Sequence, residues 1–397
     1  MMPTRNLRLM LASAAFIGLS GPAFALDGAD LVTKLNAAYA LNGATVAYEK
    51  VAVDGTTVTL TGVSVKSTAA PGKDFKIGDV TLEGVEETDG GGYYAETVTL
   101  PDVDVKEDET AITAKDISIG GLSIPGNPAG GTVHDIVLYE SATTGPVTVT
   151  AKGKPVFSMD ESEANLTKQE SDAGFDFDAT FSGIKADLSG VEDPKSKDAI
   201  EKLGLKNLAG EMTMKGSWEV ATGNVSLEEY AFDFANVGRL AIAFDVSGYT
   251  LDFMKSVQEA MKAAETNPNK EEANQAMGLS MMGLIQQLTF NSASIRFDDA
   301  TITKRVLDYI GSQQGTTGDQ LAQSLKGMVP LMMAQLNVPE LQNQVSSAVN
   351  TYLDAPKSLT IAAEPANPVP FPMIIGAAMG APNTVPSVLG VKVTAND

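Results

Sequence analysis

Val58-Thr59-Leu60-Thr61-Gly62-Val63-Ser64-Val65 is the stretch that decides the fold. Apolar and hydroxyl residues alternate up to Leu60, the period of a strand with one buried face. Past Gly62 the alternation resumes out of step, because the apolar positions jump by three from Leu60 to Val63. In an ideal strand that jump turns the second half onto the other face. A bulge at the glycine absorbs the extra residue, keeps one face apolar and bends the strand. The unit returns as Val80-Thr81-Leu82-Glu83-Gly84-Val85, Val98-Thr99-Leu100-Pro101-Asp102-Val103 and Ile117-Ser118-Ile119-Gly120-Gly121-Leu122, at intervals of about 20 residues. Turn signals separate the copies: Asp54-Gly55, Pro71-Gly72 and Gly90-Gly91-Gly92. Bends at matching positions curve a whole sheet. The expected fold is α+β, a long curved antiparallel β-sheet with degenerate strand repeats plus a C-terminal Met-rich helical region. A parallel β-helix fits the same period and is the alternative.

Working outward, Asp27 to Leu41 reads as a helix with Leu31, Leu35 and Tyr39 on one face and Gly43 as its stop. Residues 26–145 form an N-terminal helix and β-repeat region. A second β region, 146–248, alternates through Val147, Phe175, Phe181, Met212, Val225 and Ile242, with Pro194 to Leu203 as a short helix. A helical region, 249–356, opens at Thr250 with the stripes Leu251, Met254, Val257, Met261 and Met277, Met281, Leu284, Leu288. A strand, Ser292 to Phe297, interrupts it before Thr303 to Ile310, Asp319 to Leu336 and Pro339 to Leu353. Residues 357–397 supply closing strands at Leu359 to Ile361 and Val391 to Val393, with the apolar segment Phe371 to Ala381 between them.

Residues 1–25 carry an export signal. Arg5 and Arg8 precede an apolar stretch from Leu9 to Leu19, a Gly21-Pro22 break, and the small-x-small site Ala23-Phe24-Ala25. The expected location is the periplasm after cleavage before Leu26, with the extracellular space as the alternative. The chain has no Cys, which excludes disulfides and thiolate metal sites. Its net charge of −22 disfavours nucleic acid and anionic lipid surfaces. No apolar run is long enough to span a bilayer of about 30 Å as a helix, so no transmembrane span is expected.

Residues that carry chemistry are sparse. His134 is the sole histidine, so no two-histidine metal site can form and any Ser-His-Asp triad would have to centre on it. It sits in the strand-like Thr132 to Leu138, with no Gly-x-Ser-x-Gly in the chain. The acidic run Asp102, Asp104, Glu107, Asp108, Glu109 lacks EF-hand spacing and reads as a solvated loop or edge. Asp298-Asp299 beside Arg296 reads as an N-cap for the next helix, and Gly90-Gly91-Gly92 as a turn without the Lys-Ser/Thr of a phosphate loop. These readings predict no enzyme, no cofactor and no metal. The unusual feature is methionine in the helices. Met277, Met281, Met282, Met332 and Met333 are either ordinary core or an adaptable face for an apolar ligand.

Leu208-Ala-Gly-Glu-Met-Thr-Met-Lys-Gly-Ser-Trp218 through Gly248, with Ser294-Ile-Arg-Phe-Asp-Asp299, resembles the repetitive β segments of AsmA-type and YdgA-type bacterial envelope proteins. The resemblance covers about half of the chain and implies a periplasmic protein whose curved sheet holds or conducts hydrophobic molecules. The chain departs from those larger proteins in its short β region, and in a cleavable signal where they carry a membrane anchor. The function expected is a non-enzymatic envelope protein that binds a lipid, an acyl chain or a protein partner through a curved sheet. The alternative is a structural or adhesive protein of the cell surface.

Overall fold

A computed structural model describes residues 26–40, 44–67, 74–128, 132–335 and 337–397. The export signal, Leu41, Gly43, the Pro71-Gly72 turn and Leu336 lie outside the described residues.

Strands β1 (Ala44–Ala47) and β2 (Lys50–Asp54) run end to end along β3 (Thr57–Ser67), whose other edge pairs with β4 (Asp74–Glu83). β4 and then β5 (Glu86–Glu87) line β6 (Tyr93–Thr99), which continues as β7 (Val103–Glu107). The return strand is β8 (Thr110–Ala114) running into β9 (Ser118–Ile124). Next comes a long hairpin, β10 (Ser141–Thr144) with β11 (Val147–Ala151), returning as β12 (Lys154–Met159) and β13 (Glu161–Lys168). β14 (Gly174–Asp187), β15 (Asn207–Glu219), β16 (Asn224–Phe234), β17 (Gly238–Ser247) and β18 (Thr289–Asp299) follow in order. β19 (Ser358–Ala363) and β20 (Val369–Pro370) line β18, and β21 (Val391–Ala395) forms the far margin beside β19. Every one of these pairings is antiparallel and, with strands that run end to end taken as one, joins neighbours along the chain. The fold is thus α+β around one meandering curved sheet, and the parallel β-helix alternative is excluded. The boundary placed at 145/146 falls between β10 and β11, inside one hairpin.

The bends are where the repeat unit places them. Gly62, Gly84 and Gly121 have φ of +65°, +62° and +64°, and the register of β3 slips between Leu60 and Val63. The motif is directional while successive strands run in opposite directions, so its copies fall alternately on two lines across the sheet. One line joins Glu49, Gly62, Asp79, Asp102, Asp116 and Gly145. There the Gly62 N–H donates to Asp79 at 2.9 Å, and the Asp116 N–H donates to Asp102 at 3.3 Å. Gly183 under Asp160 extends it into β14, where the register slips again. The second line joins Gly84 under Glu96 and Gly121 under Glu140.

α1 (Gly28–Ala40) starts where the Asp27 carboxylate accepts the N–H groups of Ala29 and Asp30, both at 3.0 Å. It lays Leu31, Val32 and Leu35 on Val58, Leu60, Leu82, Val98, Leu122 and Ile124, which forms the buried core. The other helices leave from the two ends of the strands. α2 (Pro194–Lys202) connects β14 to β15. α3 (Leu251–Thr266) and α4 (Lys270–Ile285) connect β17 to β18. α5 (Ile302–Gln313), α6 (Gly318–Gln335) and α7 (Pro339–Asp354) connect β18 to β19, and α8 (Phe371–Gly380) with α9 (Val385–Val388) connects β20 to β21. The antiparallel order puts α3, α4, α8 and α9 at one end of the sheet and α2 with α5 to α7 at the other. The expected helical region, 249–356, is therefore two groups separated by β18. At the second end the Arg305 guanidinium of α5 donates to the carbonyls of Leu203 and Asn236, tying that group together. α7 packs along β21, where Asn396 donates to the carbonyls of Thr351 at 3.1 Å and Ala355 at 2.9 Å.

Candidate functional site

Because directly opposed residues in antiparallel strands share a face, the registers trace rows across the sheet. One row runs Val53, Val58, Leu82, Val98, Ile119, Ala142, Ala164, Ala179, Met214, Tyr230, Ile242, Ile295, Ile361, Val393. It crosses the sheet from one margin to the other without a charged residue. From β14 onward parallel rows flank it. Phe181, Met212, Phe232, Leu240, Phe297 and Leu359 make one, and Phe175, Trp218, Val225, Val246, Phe290 and Val369 another. The opposite face carries Asp176, Asp178, Lys215, Asp233, Arg239 and Arg296. There Asn291 donates to Asp245 at 2.5 Å, to Asn224 at 3.0 Å and to Ser247 at 2.7 Å.

This apolar floor is covered at one end and open at the other. Under α1, Val58 and Leu82 are 0 % and 2 % exposed, whereas Ile295, Ile361 and Phe244 are 49 %, 47 % and 38 % exposed. Between the two regions lies a cavity of about 920 Å³, where residues 132–140 bridge β9 to β13. Tyr93, Ile124, Val133, Leu138, Leu166 and Phe175 give it apolar walls, and Asp135, Glu140 and Lys168 a polar rim. Its volume lies within the range of small-molecule pockets. An aromatic cluster closes the near end of the floor. Trp218 stacks on Phe175 at 6.1 Å, meets Tyr249 edge-on at 6.5 Å and donates its indole N–H to the Tyr249 carbonyl at 2.9 Å. From the cavity wall the Tyr93 hydroxyl reaches Asp30 of α1. Burial, and then the hydrogen bond to Asp30 at 2.7 Å, push the Tyr93 phenol up.

The methionines singled out from sequence are split. Met277, Met281 and Met282 lie on α4, which packs on α3, whereas Met332 and Met333 lie on α6, which packs on α5 and α7. The two groups leave β18 at opposite ends, about 35 Å apart at roughly 3.3 Å per residue. Met282 and Met332 are 60 % and 58 % exposed, and Met277, Met281 and Met333 are half-buried. These five side chains therefore belong to two separate surfaces. The floor itself was missed as a site. Its signal lies in the strand alternation, which predicts a binding curved sheet without singling out any residue of it.

His134 lies on a 3-10 turn, Val133–Asp135, and lines the cavity, in place of the strand expected over Thr132 to Leu138. Thr132 caps that turn reciprocally with Asp135, and a backbone so capped turns where an alternating pattern suggested extension. The acidic run forms the β7–β8 hairpin, with Asp108 at its tip in the left-handed region, φ +52°. Asp299 accepts the Thr303 N–H at 2.8 Å in the first turn of α5, and Asp298 pairs with Arg296 at 2.9 Å. Among the described residues no group of three His, Cys, Asp or Glu could hold a metal ion, and no helix is long and apolar enough to cross a membrane.

A family model described as "Uncharacterized protein" matches residues 231–396. The match runs from β16 to β21 and so takes in the uncovered part of the floor and every helix from α3 onward. No curated protein matches the chain.

Proposed function

We propose that the protein is a non-enzymatic envelope protein that holds the acyl part of a lipid along the open apolar floor of β16 to β21. The observation that carries this reading is the uninterrupted apolar row whose residues pass from fully buried beneath α1 to half-exposed at Ile295 and Ile361. A monomer seldom leaves so much contiguous apolar surface to water without a partner for it. Each methylene laid on such a surface contributes roughly 0.8 kcal/mol. A chain of ten methylenes thus offsets much of an association cost of about 4–15 kcal/mol. The cavity at the junction, with its polar rim, suits the headgroup end. The resemblance to AsmA-type envelope proteins and the export signal in the sequence support the same reading, with the periplasm as its proposed location.

Native mass spectrometry of protein purified from an envelope extract without detergent tests the proposal. Bound lipid or fatty acid is expected, and Ile295→Asp and Ile361→Asp are expected to abolish it while the chain stays folded, since both side chains already meet solvent. A clean apo mass, with no binding of dispersed fatty acid, would overturn it.

A further inference from the structure

The corner where α4 and α8 meet the sheet differs from the rest of this acidic surface. No Asp, Glu, Lys or Arg stands between Glu272 and Arg296, or between Glu364 and Lys392. The two uncharged segments come together in space, for the Phe371 N–H at the start of α8 donates to the Leu288 carbonyl, just past the end of α4, at 3.1 Å. α8, Phe371–Gly380, contains no polar side chain at all. Phe371, Ile374 and Ala377 are half-buried on one side of it, and the other side presents Met373, Ile375 and Met379 at 59 %, 40 % and 83 % exposure. Leu279 and Met282 of α4 add side chains 70 % and 60 % exposed. α8 follows β20, where Val369 pairs with Phe290 in the outermost row of the floor. The apolar corner is therefore continuous with the floor.

We propose that this corner is a membrane-docking surface for a lipid layer of electrically neutral headgroups, through which the floor exchanges acyl chains. The inference rests on the lipid-holding reading of the floor. A ten-residue helix is about 15 Å long, too short to span a bilayer and suited to lying in its interface. The two segments carry no cation, and the nearby Lys392 is paired with Glu364, so in a chain of net charge −22 the corner favours neutral over anionic lipid. An interfacial apolar helix also explains why α8 turns Met373 and Met379 outward, where a helix facing only water would carry polar residues.

Flotation with phosphatidylcholine vesicles tests this, using the full chain and, in parallel, the chain from Leu26, so that the stretch Leu9 to Leu19 is not the source of binding. Both are expected to float, with no loss at 1 M salt and no gain from anionic phosphatidylglycerol. The double variant Ile375→Asp, Met379→Asp should lower the partition coefficient about tenfold or more. Leu331→Asp, an equally exposed apolar site on α6 at the other end of the sheet, should leave it unchanged. Undiminished flotation of the double variant, or an equal loss in Leu331→Asp, would overturn the inference. So would a dimeric chain that the double variant makes monomeric, because the corner would then be an interface between copies. Binding of dispersed fatty acid by the double variant separates the two proposals: if it persists while the wild-type chain does not float, docking fails and the lipid-holding reading stands.

Discussion

The α1-covered end and the β16 to β21 end of the sheet are written in the same strand grammar and live in different environments. Val58, Leu82 and Val98 stand in the same cross-strand row as Ile242, Ile295 and Ile361, with side chains of similar size and apolarity. The first three are at most 5 % exposed, and the last two of the others are nearly half exposed. Alternation along a strand reports which face a residue takes. Whether that face is covered depends on another element, here a single helix of 13 residues. An apolar sheet face is thus core where a helix lies on it and open surface where none does.

Truncating one residue at each end should separate the two environments most widely. Leu31→Ala removes a side chain of 0 % exposure from the packed end. It should cost about 2–5 kcal/mol in urea denaturation, the range for emptying a tightly packed site. Ile295→Ala, at 49 % exposure, should cost less than about 1 kcal/mol, since surface-exposed changes rarely cost more. Equal losses at the two sites would mean that the open floor is packed in solution, and the contrast would collapse.

The bulges give a second, smaller contrast. Gly84, at φ +62°, would bring a Cβ within 2.7 Å of the Glu96 Cβ, whereas Gly55, at φ +61°, has nothing within 4 Å. Gly84→Val should therefore cost about 1–3 kcal/mol, through backbone strain plus displacement of the neighbouring strand. Gly55→Val meets the strain alone and should fall at the low end of that range. If the two variants melt together, the crease is held by backbone angle and the acids over the glycines play no part in it.

Most of the sheet was legible because its signal is local. The three-residue jump across Gly62 encodes both the strand and its bend, and Asp27, Pro194 and Thr250 mark helix starts that the structure keeps. The site was legible only in part. Met281 and Met332 stand out by residue type, yet their positions depend on which end of β18 each helix leaves, and that follows from strand direction, which no single window contains. The row from Val53 to Val393 was present in every strand. It becomes visible only once registers are known, because opposition across strands is a long-range fact. His134 was misplaced for a local reason: a two-residue cap between Thr132 and Asp135 outweighs the alternation of the apolar residues around it.

The smallest contrast is electrostatic and separates the ends by pH. Asp30 of α1 is held below the usual carboxylate range, first by its hydrogen bond to Lys34 and then by the Tyr93 hydroxyl, which donates to it at 2.7 Å. A carboxyl whose pKa is depressed on folding adds stability above its unfolded value, and that stability is lost as pH falls through the folded value. The loss should begin below about pH 4, where a free aspartate takes up its proton. Asp30 is 38 % exposed at its side chain and pairs with Lys34 one turn away, so the contribution should be only a few tenths of a kcal/mol. Amide-exchange protection in β6 should fall as pH drops below about 4 in the wild-type chain, and Asp30→Asn should flatten that fall. Asparagine can still accept the Tyr93 hydroxyl but has no proton to take up in this range. Fluorescence of Trp218, the single tryptophan, which lies on β15 against Phe175, reads the open half in the same samples. It should be the same in both chains, because no titrating group of α1 reaches it. A Trp218 signal that shifts with Asp30→Asn would show that the covered and open ends melt as one unit, and that α1 stabilises the whole floor, not just the part it covers.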